Sequence, residues 1–169
     1  MTIEEKVTSY ETLRHIKNVG IFLNKVSTEL MKRAAVHDQS KLEEPELSMF
    51  VEFTPKLAGS TYGSEEYKQF LEVMRPTLKH HYANNRHHPE HFQEEADATF
   101  RGSPVNCMTL IDVIEMLCDW TAATLRHNDG NISKSIEINK ERFGLSVQLV
   151  EILKNTVKEW DTPLDKTES

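Results

Sequence analysis

Between residues 10 and 33, apolar side chains fall at Leu13, Ile16, Val19, Ile21, Phe22, Leu23, Val26, Leu30 and Met31, mostly three or four positions apart. That spacing gathers them on one side of a 3.6-residue repeat and predicts a long amphipathic helix. The helical pattern in AAVHDQSKLEEPE ends near Lys41. Pro45, flanked by Glu44 and Glu46, stands where a new helix starts, and Leu47, Phe50 and Val51 carry it over residues 45–53. TPKLAGSTYG, residues 54–63, reads as a loop because proline, glycines and hydroxyl side chains crowd together. Ser64 before Glu65 and Glu66 is an N-cap with an acidic first turn, and Tyr67, Phe70, Leu71 and Met74 continue at i, i+3, i+4 and i+7. Pro76 opens or kinks the next helical piece, which reaches about Tyr82, and Pro89 starts another short one. RGSP, 101–104, is a second loop. Residues 105–126 form the most apolar helix, with Met108, Leu110, Ile111, Ile114, Leu117, Cys118 and Trp120. HNDGN, 127–131, is a strong stop; two helices follow over about 132–142 and 146–160, the second capped by Ser146, and DTPLDKTES is expected to fray. No segment sustains period-two alternation. The expectation is one compact all-α domain over residues 1–169, with about six to eight helices.

Composition narrows this picture. With 38% hydrophobic and 28% charged residues, the chain is a folded globular protein, long enough to enclose a core without staples. A net charge of −7 leaves no electrostatic footprint for general nucleic-acid binding, so a site for a phosphate-bearing molecule needs local cations: metals, or a few placed Lys and Arg. MTIEEKVTSY lacks an apolar signal core, and no run of apolar residues is long enough to span a bilayer, so a cytoplasmic protein without membrane contact is expected. Cys107 and Cys118 lie in the apolar stretch and read as reduced core thiols. Trp120 and Trp160 read as core anchors, since no basic patch surrounds them. The apolar face of the last helix, Val147, Leu149, Val150, Ile152, Leu153 and Val157, suits a core or a homodimer.

The chemistry is carried by polar residues where apolar ones are expected. His15 interrupts the first helix; alone, such a histidine is usually a satisfied boundary residue. The doublet His37-Asp38 follows two alanines and a valine; its bland reading is an exposed helix end. Asp112, Glu115 and Asp119 stand at i, i+3 and i+7 in LIDVIEMLCDW, on one stripe of an otherwise apolar helix. Such a stripe usually faces water, yet three aligned carboxylates repel unless something positive faces them. Five of the eight histidines, His80, His81, His87, His88 and His91, crowd the segment before this helix. His91 and His127 read as exposed or helix-end residues. Together, His15, His37, one of His80 and His81, and one or both of His87 and His88, with Asp38 and Asp119, make a set that holds one or two metals. Neutral imidazole and carboxylate suit Zn, Fe, Mn, Co or Ni without any thiolate, and helical cores build such sites from facing helices.

The order His … His-Asp … His … His-His … Asp resembles the HD-domain superfamily of metal-dependent phosphohydrolases. HDQSK is similar to that superfamily's HD-x-[GS]-K segment, and RHHPE resembles the paired-histidine segment of its two-metal branches. The resemblance spans roughly residues 12–126, with the C-terminal helices, about 132–160, outside it. HDQSK, YGSEEY, HYANNRHHPEHF and EMLCDWTAA also resemble a family of small phage and prophage proteins over nearly the whole chain. What this implies is an all-helical HD fold. His15 matches the superfamily's first histidine, and His37-Asp38 its doublet, with Asp38 placed to bridge two metals. His81 fits the third histidine better than His80, His87 or His88 the fourth, and Asp119, or alternatively Asp112, the closing aspartate. The interval from His81 to His87 is shorter than in most two-metal members. Lys41 stands where many members place a lysine near the substrate phosphate, and Asn85 and Arg86 are further candidates for phosphate oxygens. Asp38, Lys41 and Glu115 are the catalytic candidates.

The leading expectation is therefore hydrolysis of a nucleotide or similar small phosphoester through a metal-activated hydroxide. The location would be the host cytosol if the chain is phage-encoded. The alternatives are a di-iron HD-type oxygenase acting on a small substrate, and a non-enzymatic phage accessory protein that binds a host protein.

Overall fold

A computed structural model describes residues 2–61, 64–126 and 130–160. The calls for a stop at 127–129, for the loop at Tyr62 and Gly63, and for a frayed tail lie outside these residues. The described residues form eight α-helices, three short 3-10 turns and no strand. The all-α class read from the periodicity is what the chain adopts. No helix among the described residues is long and apolar enough to cross a membrane.

The backbone groups into two units, residues 1–37 and 38–169. The first is one helix, α1, Ile3–Val36. It begins earlier than the apolar repeat suggests because Thr2 and Glu5 form a reciprocal cap: Thr2 N–H donates to Glu5 Oε2 at 2.7 Å, and Glu5 N–H to Thr2 Oγ1 at 3.1 Å. His37 closes it, at φ −52° and ψ 126°.

The second unit opens at Asp38, whose φ of 55° is left-handed, a conformation aspartate tolerates better than most residues. A 3-10 turn over Gln39–Leu42 follows, then α2, Leu47–Gly59. The expectation of a loop from residue 54 is corrected here, because the helix runs through Pro55. Proline costs a helix one N–H bond and crowds the carbonyl four residues back. Tertiary packing outweighs that cost: Phe53 is buried and meets Phe70 edge-on at 5.9 Å. Ser60 then closes the helix, donating its hydroxyl to the Leu57 carbonyl at 3.0 Å.

Helices α3, Glu65–Val73, and α4, Arg75–Asn84, follow, with Ser64 capping α3 as expected. A turn through 85–88 and a 3-10 turn at Pro89–Phe92 lead into α5, Gln93–Ala98. The stretch read as one helix over 105–126 is two elements: a 3-10 turn, Pro104–Cys107, and α6, Leu110–Thr124. The break is chemical. Thr109 and Asp112 form a second reciprocal cap that starts α6 afresh. Helices α7, Ile132–Phe143, and α8, Val147–Glu159, complete the unit. Gly144, at φ 63°, makes the left-handed stop between them, which lets Leu145 N–H reach the Lys140 carbonyl at 3.0 Å.

The main core joins α6, α7 and α8 through Val113, Met116, Leu117, Trp120, Ile136, Val150 and Leu153. Two expectations change here. Cys118 is exposed and Cys107 only half-buried, so neither is a core thiol. Trp160, at the end of α8, is 39% exposed, whereas Trp120 is the core anchor expected.

Candidate metal centre

Three segments of the second unit converge on one point. Asp38 comes from the start of the 3-10 turn, His81 from α4, and His87 and His88 from the turn after α4. Each offers one ligand-type atom, and the four atoms lie within 4.8 Å of one another. Asp38, His87 and Asp119 of α6 likewise present atoms within 4.8 Å of one another. Asp38 and His87 are common to both sets. Of the open alternatives, the geometry brings in His81 and not His80, His88 as well as His87, and Asp119 and not Asp112. His15 lies on α1 and His37 closes that helix, so both belong to the first unit.

The imidazoles are aimed by carboxylates behind them. Glu46, fully buried at the head of α2, accepts from His81 Nδ1 at 2.8 Å, His80 Nδ1 at 2.7 Å and Ser40 Oγ at 3.0 Å. Burial pushes its carboxyl upward, but the hydrogen bonds from His80, His81 and Ser40 outweigh that and hold it below the usual range. An ionised carboxylate only accepts, so His81 carries its proton on Nδ1 and presents a lone pair at Nε2. That Nε2 lies 3.3 Å from Asp38 Oδ1 and 2.9 Å from His88 Nε2. His87 repeats the arrangement: Nδ1 faces Glu115 Oε1 at 3.3 Å, and Nε2 faces Asp38 Oδ1 at 3.5 Å. Both rings are 1% exposed. The Nε2 atoms of two buried imidazoles thus converge on a carboxylate oxygen. Three electron-rich atoms in one dry pocket repel unless a cation lies among them. Carboxylate–histidine pairs of this kind fix tautomer and ring direction in metal sites. The donor set of imidazole nitrogens and carboxylate oxygens fits a divalent transition metal.

The other candidate residues surround the cluster. Lys41 donates to Asp38 Oδ2, leaving Oδ1 for the centre, and its ammonium lies 5.0 Å from the centroid of the Phe50 ring. Asn85, expected at a substrate phosphate, donates to Ser40 Oγ and to the His81 carbonyl, both at 2.8 Å, and so braces the third histidine. Arg86, also expected at a phosphate, reaches Asp112 through Nε at 3.3 Å and a terminal nitrogen at 3.2 Å. Asp112 is fully buried and also accepts from Thr109 N–H at 2.9 Å and Thr109 Oγ1 at 2.8 Å. Glu115 backs His87. His91, read as an exposed or helix-end residue, is half-buried, with Nδ1 at 2.8 Å from the Tyr82 carbonyl.

Glu46 is the residue the sequence reading missed; it appeared only as an acid in a helix's first turn. A signal existed. Glu46, Phe50 and Phe53 stand at i, i+4 and i+7, so the carboxylate falls on the face that carries the buried Phe53.

His88 shows what the cluster costs without a cation. Burial, then the neighbouring His87 and His81, push its imidazole down to about 2 from 6.5. In the unfolded chain it takes a proton near 6.5. Between those values the unfolded state binds more protons, so acidification favours unfolding by up to ~1.4 kcal/mol per pH unit below about 6.5. The lowered Glu46 carboxyl acts in the same direction at lower pH. The melting temperature of metal-free protein should therefore fall between about pH 7 and about pH 5, and His88→Leu should flatten that slope. A wild-type slope equal to that of the variant would contradict the neutral, buried reading of His88.

A family model described as a family of unknown function, DUF5662, matches residues 4–159. No curated protein and no solved structure matches the chain. The match takes in α1, every residue of the histidine–carboxylate cluster and the helices that carry it: the chain belongs to the DUF5662 family.

Proposed function

We propose that the chain is a divalent-metal-dependent hydrolase of small phosphate monoesters. The observation that carries this reading is the pair of carboxylate–histidine contacts, Glu46–His81 and Glu115–His87, which turn two buried Nε2 lone pairs onto Asp38 Oδ1. Asp38, His81, His87, His88 and Asp119 would hold one or two ions of the Mn, Fe, Co, Ni or Zn type. A bound ion supplies Lewis acidity toward a phosphoryl oxygen and lowers the pKa of water.

The chain's own residues do the rest. Asp38 and His87, common to both ligand sets, fix the spacing of whatever is held there. Lys41 offsets part of the Asp38 charge and places an ammonium beside the centre, where it favours an approaching phosphate. Asn85 and Ser40 keep His81 and Glu46 in register. The similarity of HDQSK and RHHPE to the HD-domain superfamily supports the same chemistry.

Asp38→Asn is the direct test. It keeps the side chain's size but removes a negative ligand, so hydrolysis of p-nitrophenyl phosphate with added Mn should fall by at least ~100-fold while the melting temperature holds. Wild-type protein that binds metal, yet hydrolyses no phosphomonoester with Mn, Co, Ni or Zn, would overturn the reading. Bound iron with visible absorbance in air would point to oxygen chemistry at the same residues.

A further inference from the structure

A cleft of about 550 Å³ opens beside the cluster, with His88 and Asp119 in its wall. It lies wholly within the second unit. The space far exceeds a bare phosphate and is in the range of sites that enclose whole small molecules. On the hydrolase reading, a phosphate held at the cluster therefore carries its organic body into this cleft.

The hydrogen bonds already made by the lining describe the body that fits. Ser60, just past α2, is 9% exposed and donates its hydroxyl proton to the Leu57 carbonyl at 3.0 Å. Thr124, at the end of α6, donates its own to the Thr121 carbonyl at 2.7 Å. Each hydroxyl oxygen keeps lone pairs but has committed its proton to the backbone. Asn139 of α7 lines the cleft and is 4% exposed. Its Nδ2 donates to the Ser135 carbonyl at 3.1 Å, and among the described residues nothing donates to its Oδ1. Glu90, in the 3-10 turn after His88, accepts from Arg142 on Oε1 at 2.5 Å, while Oε2 is buried without a hydrogen-bond partner among the described residues. Four elements thus each bring to one space an acceptor that still lacks a donor. Buried acceptors left unmade are costly, so a ligand gains most here by bringing several donors.

Ammonium groups and hydroxyls both donate, and charge decides between them. The carboxylates in the wall, Asp119 and Glu90, are matched there by two cations, Lys134 and Arg142. No surplus of negative charge favours an ammonium, and a metal at the cluster would oppose one. We propose that the cleft holds the hydroxyl-bearing carbon chain of a polyol or sugar monophosphate, with its hydroxyls donating to Ser60, Thr124, Asn139 and Glu90 and its phosphate toward His88 and Asp119. The phosphate end rests on the hydrolase reading; the hydroxyl end does not.

The test is calorimetric titration of zinc-loaded protein with three esters of one carbon-chain length: D-sorbitol 6-phosphate, n-hexyl phosphate and 6-aminohexyl phosphate. Phosphate release is measured in the same samples. The sorbitol ester should bind at least about 30-fold more tightly than the hexyl ester, and more tightly than the aminohexyl ester. Asn139→Leu and Thr124→Val each remove one acceptor, so each should cut the sorbitol-to-hexyl ratio about threefold to fivefold. Loosened packing would weaken both esters together and leave that ratio unchanged. The proposal is overturned if the sorbitol and hexyl esters bind alike, if the aminohexyl ester binds most tightly, if none binds, or if both variants keep the wild-type ratio. A preference for the sorbitol ester without phosphate release would retain the cleft and discard the hydrolase reading. Phosphate release from all three esters without any preference would do the reverse.

Discussion

A His87→Ala protein is expected to lose at least ~100-fold in affinity for Mn or Zn, measured by competition with a chelating dye. His87 matters more than its neighbours because it belongs to both ligand sets, whereas His81 and His88 serve only one and Asp119 only the other. Its ring is 1% exposed and is aimed by Glu115 on Nδ1 at 3.3 Å. Alanine removes the donor outright. Glu115→Gln removes only the acceptor that orients it, so the loss there should be smaller, about 10–100-fold. His80→Ala provides the contrast. That ring is 44% exposed and touches the centre only through Glu46, so affinity should stay within about threefold of wild type. Equal losses in His80→Ala and His87→Ala would mean that the cluster responds to general loosening and not to removal of a ligand.

The second large effect is on stability. Arg86→Ala leaves the fully buried Asp112 without its guanidinium, while the two Thr109 hydrogen bonds remain. Breaking a buried ion pair from one side strands the other charge. Because the Arg86 side chain is 45% exposed, the loss should fall toward the low end, about 2–4 kcal/mol, or a melting shift of about 5–15 °C. Arg86→Lys should recover only part of it, since an ammonium cannot make the two-point contact. Metal affinity should stay within about threefold of wild type. Unchanged melting with a raised KM for phosphomonoesters would instead return Arg86 to the substrate.

The helices were legible wherever a periodic apolar face and a cap agreed. Ser64 and Ser146 marked real starts, and α7 and α8 fell where the spacing put them. Pro55 and Thr109 show the limits. Local breaker chemistry argued for a loop at Pro55, but burial of Phe53 against Phe70, a contact between distant residues, carried the helix through it. Apolar continuity argued for one helix over 105–126, but the Thr109–Asp112 cap divides it.

At the candidate site, the residue types that gather in the cluster were legible because His and Asp on apolar faces are costly without a partner. The choice among neighbours was not. His80 and His81 both bond Glu46, and only their different placement on α4 sends one ring inward. Asn85, Arg86 and Asp112 looked like ligand or substrate residues because they are polar and adjacent to the motif; their partners, Ser40, His81 and Thr109, are set by tertiary structure. Glu46 was hidden among three glutamates near Pro45, and local sequence does not say which one is buried.

The central claim is that the histidine–carboxylate cluster is a metal site, and elemental analysis of protein purified without chelator tests it most directly. About one to two equivalents of a divalent transition metal, absent from His87→Ala prepared in parallel, is the predicted result. A folded wild-type protein that carries no metal, and takes up none on reconstitution with Mn, Fe, Co, Ni or Zn, would contradict it.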